Sequence, residues 1–168
     1  MRSVSVFETL YLSRSTARMT DMTNSATSSY LSGRGNPPGA GEGVQIARTV
    51  TNELDSARFD PLLVRTVARN AVKVLDTLST RIEGAVRRDG NDCYSANGQL
   101  VKDFTATSLI GPQATAAQTI NSQLISCLYN CRYNLLFVEQ EFPGKVWEIM
   151  RPTVKVGWAT PISMPISS

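Results

Sequence analysis

Apolar positions along this chain recur at spacings of three and four, and no run of alternating β-branched residues bounded by turns is present, so the pattern predicts helices throughout. Over residues 3–19, which include FETLYLSRSTAR (7–18), Val6, Leu10 and Ala17, with Phe7 and Tyr11 on an adjoining strip, fit one amphipathic helix. From Thr20 to Ser32 the chain turns to small polar residues and reads as a linker. GRGNPPGAGEG (33–43) then packs five glycines and two prolines into eleven positions, where regular structure is expected to fail. A helical period resumes at Val44 through Ile46, Ala47, Val50 and Leu54 and runs to Ala57. In FDPLL, Asp60 is placed to cap the next helix and Pro61 to occupy its first position, where a missing N–H costs nothing.

The strongest periodicity follows. Val64, Val67, Ala71, Val74, Leu78 and Ile82, continued by Ala85, form a helix-packing stripe from which Arg65, Arg69, Lys73, Asp76 and Arg81 are excluded. Such a stripe requires other helices to cover it, and the alanines allow close approach. RRDGNDCYSANG (87–98) interrupts the pattern, so residues 88–113 read as a long connection with one turn of helix around Gln99 to Phe104. Gly111-Pro112 closes it and Thr115 offers a cap. Residues 116–141 carry Ile120, Leu124, Cys127, Leu128, Cys131, Leu135 and Val138 at helical spacing. Pro143 is expected to end that helix, and Val146 to Met150 to form a short one before Pro152. The expected fold is all-α, an antiparallel helical bundle or rod segment with long loops and a disordered C-terminal tail. Its expected divisions are an N-terminal helix and polar linker (1–32), a Gly/Pro-rich connector (33–43), a helical bundle (44–150) and the tail (151–168).

Composition narrows the functional classes. With 168 residues, 42% hydrophobic, the chain can bury one modest core. Seventeen Lys and Arg against 14 Asp and Glu leave a net charge of +3, too small to announce nucleic acid or an anionic membrane by itself. The first twenty residues contain Arg2, Arg14 and Arg18 but no signal-peptide core, and no run approaches the ~20 apolar residues of a membrane span. The expectation is a cytosolic or nuclear protein, whose three cysteines do not form a disulfide framework.

Reactive chemistry is sparse. The absence of histidine excludes Ser-His-Asp and Cys-His nucleophile arrangements and the commonest zinc sites. Cys127 and Cys131 share a helix face, yet only Cys93 remains as a further soft ligand, so both read as small apolar residues of a helix stripe. Glu139 and Glu141 fall on different faces of a helix, and Asp89 and Asp92 in a polar loop, so neither pair suits acid-base work. The glycine-rich connector lacks the preceding buried strand and following lysine of a phosphate-binding loop. Arg87-Arg88 suits a helix C-terminus, and the aromatics do not interleave with basic residues as a stacking platform for single strands requires. No catalytic, cofactor-binding or metal-ligating residue is expected.

Several segments in order carry a resemblance. FETLYLSRSTAR (7–18), the connector with Asn36-Pro37-Pro38, IARTVTNEL (46–54), VARNAVK (67–73), and LIGP followed by INSQLISCLYNC within residues 109–131 are similar to the middle region of the subunit 5 family of the conserved oligomeric Golgi complex. The similarity covers roughly residues 7–140. It implies a helical-rod subunit of a multisubunit vesicle tether on the cytosolic face of the Golgi membrane, peripherally associated and working in intra-Golgi retrograde transport. It further implies sister subunits as partners, subunit 7 among them, and no catalytic residues.

Family members are several hundred residues long, and their pattern continues as helices where this chain turns proline-rich after about residue 150. The chain is therefore expected to be a partial or truncated product whose Val64 to Ala85 stripe is incompletely covered. Leaving ~300 Å² of such surface in water would forfeit ~7 kcal/mol, comparable to a domain's net stability. The alternative from a different class is a stand-alone helical adaptor gripping membrane or nucleic acid through Arg87, Arg88 and the arginines of the first helix.

Overall fold

The computed structural model describes residues 6–90 and 112–155, with side chains over 6–86 and 120–155. These residues form an all-α bundle: α1 (Val6–Leu31), α2 (Ala40–Ser56), α3 (Pro61–Gly90), α4 (Pro112–Tyr133), the single turn α5 (Val138–Glu141) and α6 (Lys145–Val154). No strand occurs among the described residues. The connection expected over 88–113 is helical at both edges, since α3 runs to Gly90 and α4 starts at Pro112, and the tail expected from 151 is helical to Val154. Residues 91–111, with Asp92, Cys93 and the turn expected around Gln99 to Phe104, and those beyond 155 lie outside the described residues.

Local chemistry fixes the ends. At α1, Gly33 takes φ +85°, Arg34 N–H donates to Ser29 O (2.8 Å) and Gly33 N–H to Tyr30 O (3.0 Å), a Schellman stop that needs glycine's freedom. At α2, Glu42 reaches back so that Gly39 N–H donates to its Oε1 (2.9 Å). At α3, Asp60 Oδ1 accepts from Leu62 N–H (3.0 Å) and Leu63 N–H (3.1 Å) while Pro61 takes the first helical position, as the sequence predicts. Pro112 occupies the corresponding position of α4, so Thr115 lies inside that helix and not at its cap.

Four elements depart from the expected boundaries. Helix α1 continues through the stretch read as a linker, to Leu31, because Met19, Thr23 and Thr27 are buried beneath α2 and α3 and the threonine hydroxyls bond within the helix. Helix α2 starts at Ala40, inside the glycine-rich connector, where Glu42 supplies the cap and Gly43 fits against α4. The helix expected over 116–141 breaks at 134–137 into bonds of three-residue span, including Leu135 N–H to Arg132 O (3.0 Å) and Val138 N–H to Leu135 O (3.1 Å). There Asn134 Nδ2 donates to Asn130 O (2.7 Å), competing with the regular ladder. Pro152 does not end α6. It is exposed one turn after exposed Glu148, whose carbonyl water can serve, and burial of Met150, Thr153 and Val154 holds the last turn in place.

The core runs along α3, which contacts α1, α2, α4 and α6, while α2 packs most extensively on α4. Short connections make α1 and α2 antiparallel, and α2 and α3 antiparallel, so α1 and α3 run in the same direction. The α2–α4 crossing is closest at Gly43: a Cβ there would collide with the carbonyl of Cys127 and press on the Cys131 amide. Such proximity needs a residue with no side chain.

Candidate functional site

The helix-packing stripe is wholly internal. Val64 (6% exposed), Val67 (0%), Ala71 (0%), Val74 (8%), Leu78 (1%) and Ile82 (1%) are core residues, and Ala85 continues them. The expectation of an incompletely covered stripe is therefore corrected. Helices α1, α2, α4 and α6 of the same chain supply the cover, because α1 is longer than the pattern predicts and α6 persists through Pro152. These residues build the platform and leave outside contact to other faces.

On α1 the expected stripe points the wrong way. Val6, Phe7 and Leu10 are exposed, as is Ala17, whereas the buried line is Ser15, Met19, Thr23 and Thr27, flanked by half-buried Tyr11, Met22, Ala26 and Tyr30. Small hydroxyl-bearing residues at 15, 23 and 27, in line with Met19, let α1 lie close to its neighbours. The two threonines absorb their polarity locally, as Thr23 Oγ1 donates to Met19 O (3.0 Å) and Thr27 Oγ1 to Thr23 O (2.9 Å). Sequence reasoning missed this line because it scored hydroxyls as polar; a spacing of four among small residues was the available signal.

One ion pair ties α1 to α2. Arg18 Nε and Nη2 donate to the two carboxylate oxygens of Glu53 at 2.7 and 2.9 Å, in a bidentate fork, and the Glu53 side chain is only 7% exposed. Burial alone would push the Glu53 carboxyl up. The Arg18 fork, the Ser15 hydroxyl and the Arg18 charge outweigh burial and hold it below the ordinary glutamate range. Burial, then the Glu53 charge, push the nearby Tyr11 phenol up, with Arg18 opposing. A first-helix arginine offered by the adaptor alternative is thus committed inside the fold, while Arg87 and Arg88 fall at the end of α3 with side chains outside the described residues.

Cys127 and Cys131 are buried at the α2–α4 crossing, and burial pushes both thiols up to about 12. At neutral pH they are protonated and inert, since the thiolate is the nucleophile. Among the described residues no cluster of three or more His, Cys, Asp or Glu side chains could hold a metal ion. Glu139 and Glu141 are both exposed, and Glu141 is engaged with Arg58 (3.3 Å), whose guanidinium also lies 4.3 Å from the Phe142 ring centroid.

A groove of about 190 Å³ with polar walls lies between α1 and α3. Thr16, Thr20, Thr23 and Asn24 line it from α1; Asn70, Lys73, Thr77 and Arg81 from α3. Arg81 Nη1 donates to Asn24 Oδ1 at 2.6 Å across it, fixing the two helices in register. Thr23 and Thr77 spend their hydroxyls on backbone carbonyls of their own helices, whereas the side chains of Thr16, Thr20, Asn70 and Lys73 have no partner among the described residues. Two cations, several donors and no carboxylate give the groove a positive, donor-rich lining. It holds no paired acid and base, so proton transfer has no obvious agent there.

Comparison with known proteins gives one distant relation. The chain is 28% identical, over 127 residues, to mouse "Conserved oligomeric Golgi complex subunit 5", an alignment that covers 76% of this chain and 13% of that protein. No family model matches the sequence, and no solved structure matches it. The chain thus spans a small fraction of the length of the curated relative. No described helix is long and apolar enough to cross a membrane.

Proposed function

We propose that this chain acts as a subunit, or a segment of one, in a multisubunit Golgi vesicle-tethering complex, working in intra-Golgi retrograde transport through helix-to-helix contact. The observation that carries the reading is the relation to the mouse subunit over three quarters of the chain. Its physical support is a self-covered helical bundle whose buried thiols are inert and in which Glu53, the buried carboxylate among the described residues, is ion-paired. In this reading the chain is no enzyme. It is a peripheral component on the cytosolic face of the Golgi membrane, and its partners are sister subunits, subunit 7 first among them.

Affinity capture tests it. The tagged chain, expressed in cells carrying the complex, is expected to recover sister subunits in a manner that survives added salt where contacts are apolar. Recovery of none of them, with the chain folded and abundant, would reject the reading. Nucleic-acid binding that falls steeply with salt would instead favour the adaptor alternative.

A further inference from the structure

The buried stripe leaves α3 with an outward face, and that face carries an unusual row. Arg65, Arg69, Lys73, Thr77 and Arg81 recur every fourth residue, forming one oblique ridge that turns about 40° around α3 at each step and ends in the groove against α1. At 1.5 Å per residue the ridge extends about 24 Å along the helix. Its members are exposed or half-buried. The side chains of Arg65, Arg69 and Lys73 have no ion-pair or hydrogen-bond partner among the described residues.

Among the described side chains of α3 neither carboxylate makes an ion pair with the ridge, and Asp76 stands one turn from Lys73. Asp76 faces α6 and accepts from Thr153 Oγ1 at 3.1 Å, and Glu83 acts on Arg132 of α4, whose Nη2 donates to Ser79 Oγ at 3.1 Å. On α1, Asp21 is exposed and lies outside the groove lining. Arg65, Arg69 and Lys73, within about 80° of one another around the helix axis, therefore share one outward face of a chain whose net charge is only +3. The groove beside them adds the unpartnered donors of Thr16, Thr20 and Asn70. At the end where α1 and α3 both begin, Phe7, Phe59 and Leu62 are exposed at 81%, 76% and 48%.

We propose that this ridge and groove form a docking surface for an acidic amphipathic helix of a partner protein. Carboxylates at every fourth residue of that helix meet Arg65, Arg69 and Lys73, and its apolar residues reach the exposed Phe59 and Leu62. Charge complementarity selects this occupant. Carboxylates one turn apart on a helix repeat at about the 6 Å interval of the ridge, and ridge-to-groove packing of two helices follows such four-residue rows. Single-stranded nucleic acid is disfavoured because no aromatic side chain is interleaved along the ridge to stack bases. A membrane surface is disfavoured because the exposed apolar residues lie at one end of the ridge and not along its length. The proposal deepens the tethering reading by naming the surface that meets a sister subunit.

The test measures binding of a fluorescent helical peptide with glutamate at every fourth position and leucine on the adjoining row, beside a counterpart with lysine for glutamate. The full chain is expected to bind the glutamate peptide and not the lysine one. The triple variant Arg65→Glu, Arg69→Glu, Lys73→Glu should lose at least about tenfold in affinity, and the milder Arg65→Gln, Arg69→Gln, Lys73→Gln an intermediate amount. Reversal of three exposed arginines elsewhere (Arg14→Glu, Arg48→Glu, Arg151→Glu) should change affinity less than about threefold. Equal losses from both triple reversals would overturn the proposal. So would tighter binding of a single-stranded oligonucleotide or of phosphatidylserine vesicles than of the glutamate peptide. Capture of sister subunits that is unchanged by the ridge reversal would overturn it while leaving the tethering reading intact. Peptide binding with no subunit captured would do the reverse.

Discussion

Helices α1 and α3 lie side by side in the same bundle and bury comparable lines of residues, yet they are built from opposite materials. The inner line of α3 is Val64, Val67, Ala71, Val74, Leu78 and Ile82; that of α1 is Ser15, Met19, Thr23 and Thr27. In α3 stability comes from removing branched aliphatic surface from water. In α1 small side chains bring the backbone close, and the two threonine hydroxyls are satisfied by the carbonyl one turn earlier. Burial is thus decided by shape and hydrogen-bond closure as much as by hydropathy, and a helix can hide a face that its composition presents as polar.

The sharpest break of this comparison is truncation at matched depth. Leu78→Ala and Ile82→Ala each delete fully buried methyl groups from α3 and should destabilise by about 2–5 kcal/mol, read from urea unfolding midpoints at constant slope. Thr27→Ala, equally buried on α1, should cost under about 1.5 kcal/mol, since it removes one methyl and a hydroxyl whose only partner is its own helix. Equal costs at the two sites would show that the α1 line is packed as an aliphatic seam.

Next in size is the effect of adding one methyl group where helices meet most closely. Gly43→Ala forces the α2–α4 crossing apart, because the new Cβ would overlap the Cys127 carbonyl, and overpacking of this kind costs about 1–3 kcal/mol. The neighbouring thiols supply an independent readout. In a Cys93→Ser background Cys127 and Cys131, pushed up to about 12 by burial, should resist a thiol reagent at pH 8 until denaturant is added. Gly43→Ala should admit the reagent under native conditions.

These contrasts explain which parts of the fold were legible in the residues. The stripe of α3, its Asp60 cap and Pro61 start, and the apolar character of Cys127 and Cys131 are written in single-residue chemistry and a repeat of three and four, and they can be read directly. The inner face of α1 could not be read that way, because Val6, Phe7 and Leu10 imitate a stripe while the true one is made of Ser, Met and Thr. Helix α2 begins among glycines because Gly43 is required by a neighbour more than eighty positions away, information that no local pattern contains. Pro152 is accommodated for a similar reason, as tertiary burial of Thr153 and Val154 outweighs one missing backbone bond. The basic ridge was visible only as residues kept off the stripe; its continuity needed the helix to be placed.

A smaller effect distinguishes the polar seam electrostatically. Arg18→Met leaves the Glu53 carboxylate buried without its fork and should destabilise by about 1–2 kcal/mol at pH 7, toward the lower end because the guanidinium is half in water. The pH dependence carries a sign. Glu53 has a lower pKa folded than unfolded, so its stabilising contribution is fully present above about pH 4.5 and disappears as pH falls through the folded value. Glu53→Gln should therefore flatten the loss of stability on acidification below about pH 4.5, as followed by thermal melts across that range. An unchanged acid profile would mean that other carboxylates dominate the acid transition.

The smallest expected effect is the most diagnostic of how α1 is built. Thr23→Val keeps the shape of the side chain and removes a hydroxyl whose acceptor, Met19 O, also serves as a carbonyl of the helix ladder, so no buried group loses its sole partner. The change should lie within about 1 kcal/mol of neutral, and a slight gain is compatible with valine's greater burial energy. Val67→Thr on α3 is the mirror experiment. Its new hydroxyl enters a wholly apolar, fully buried site and can be satisfied only by the carbonyl of Leu63 one turn earlier. If that internal bond is all that makes α1's threonines tolerable, Val67→Thr should cost little more than Thr23→Val. If the mirror change costs about 2 kcal/mol or more, the aliphatic seam has a packing requirement that hydrogen-bond closure alone does not meet.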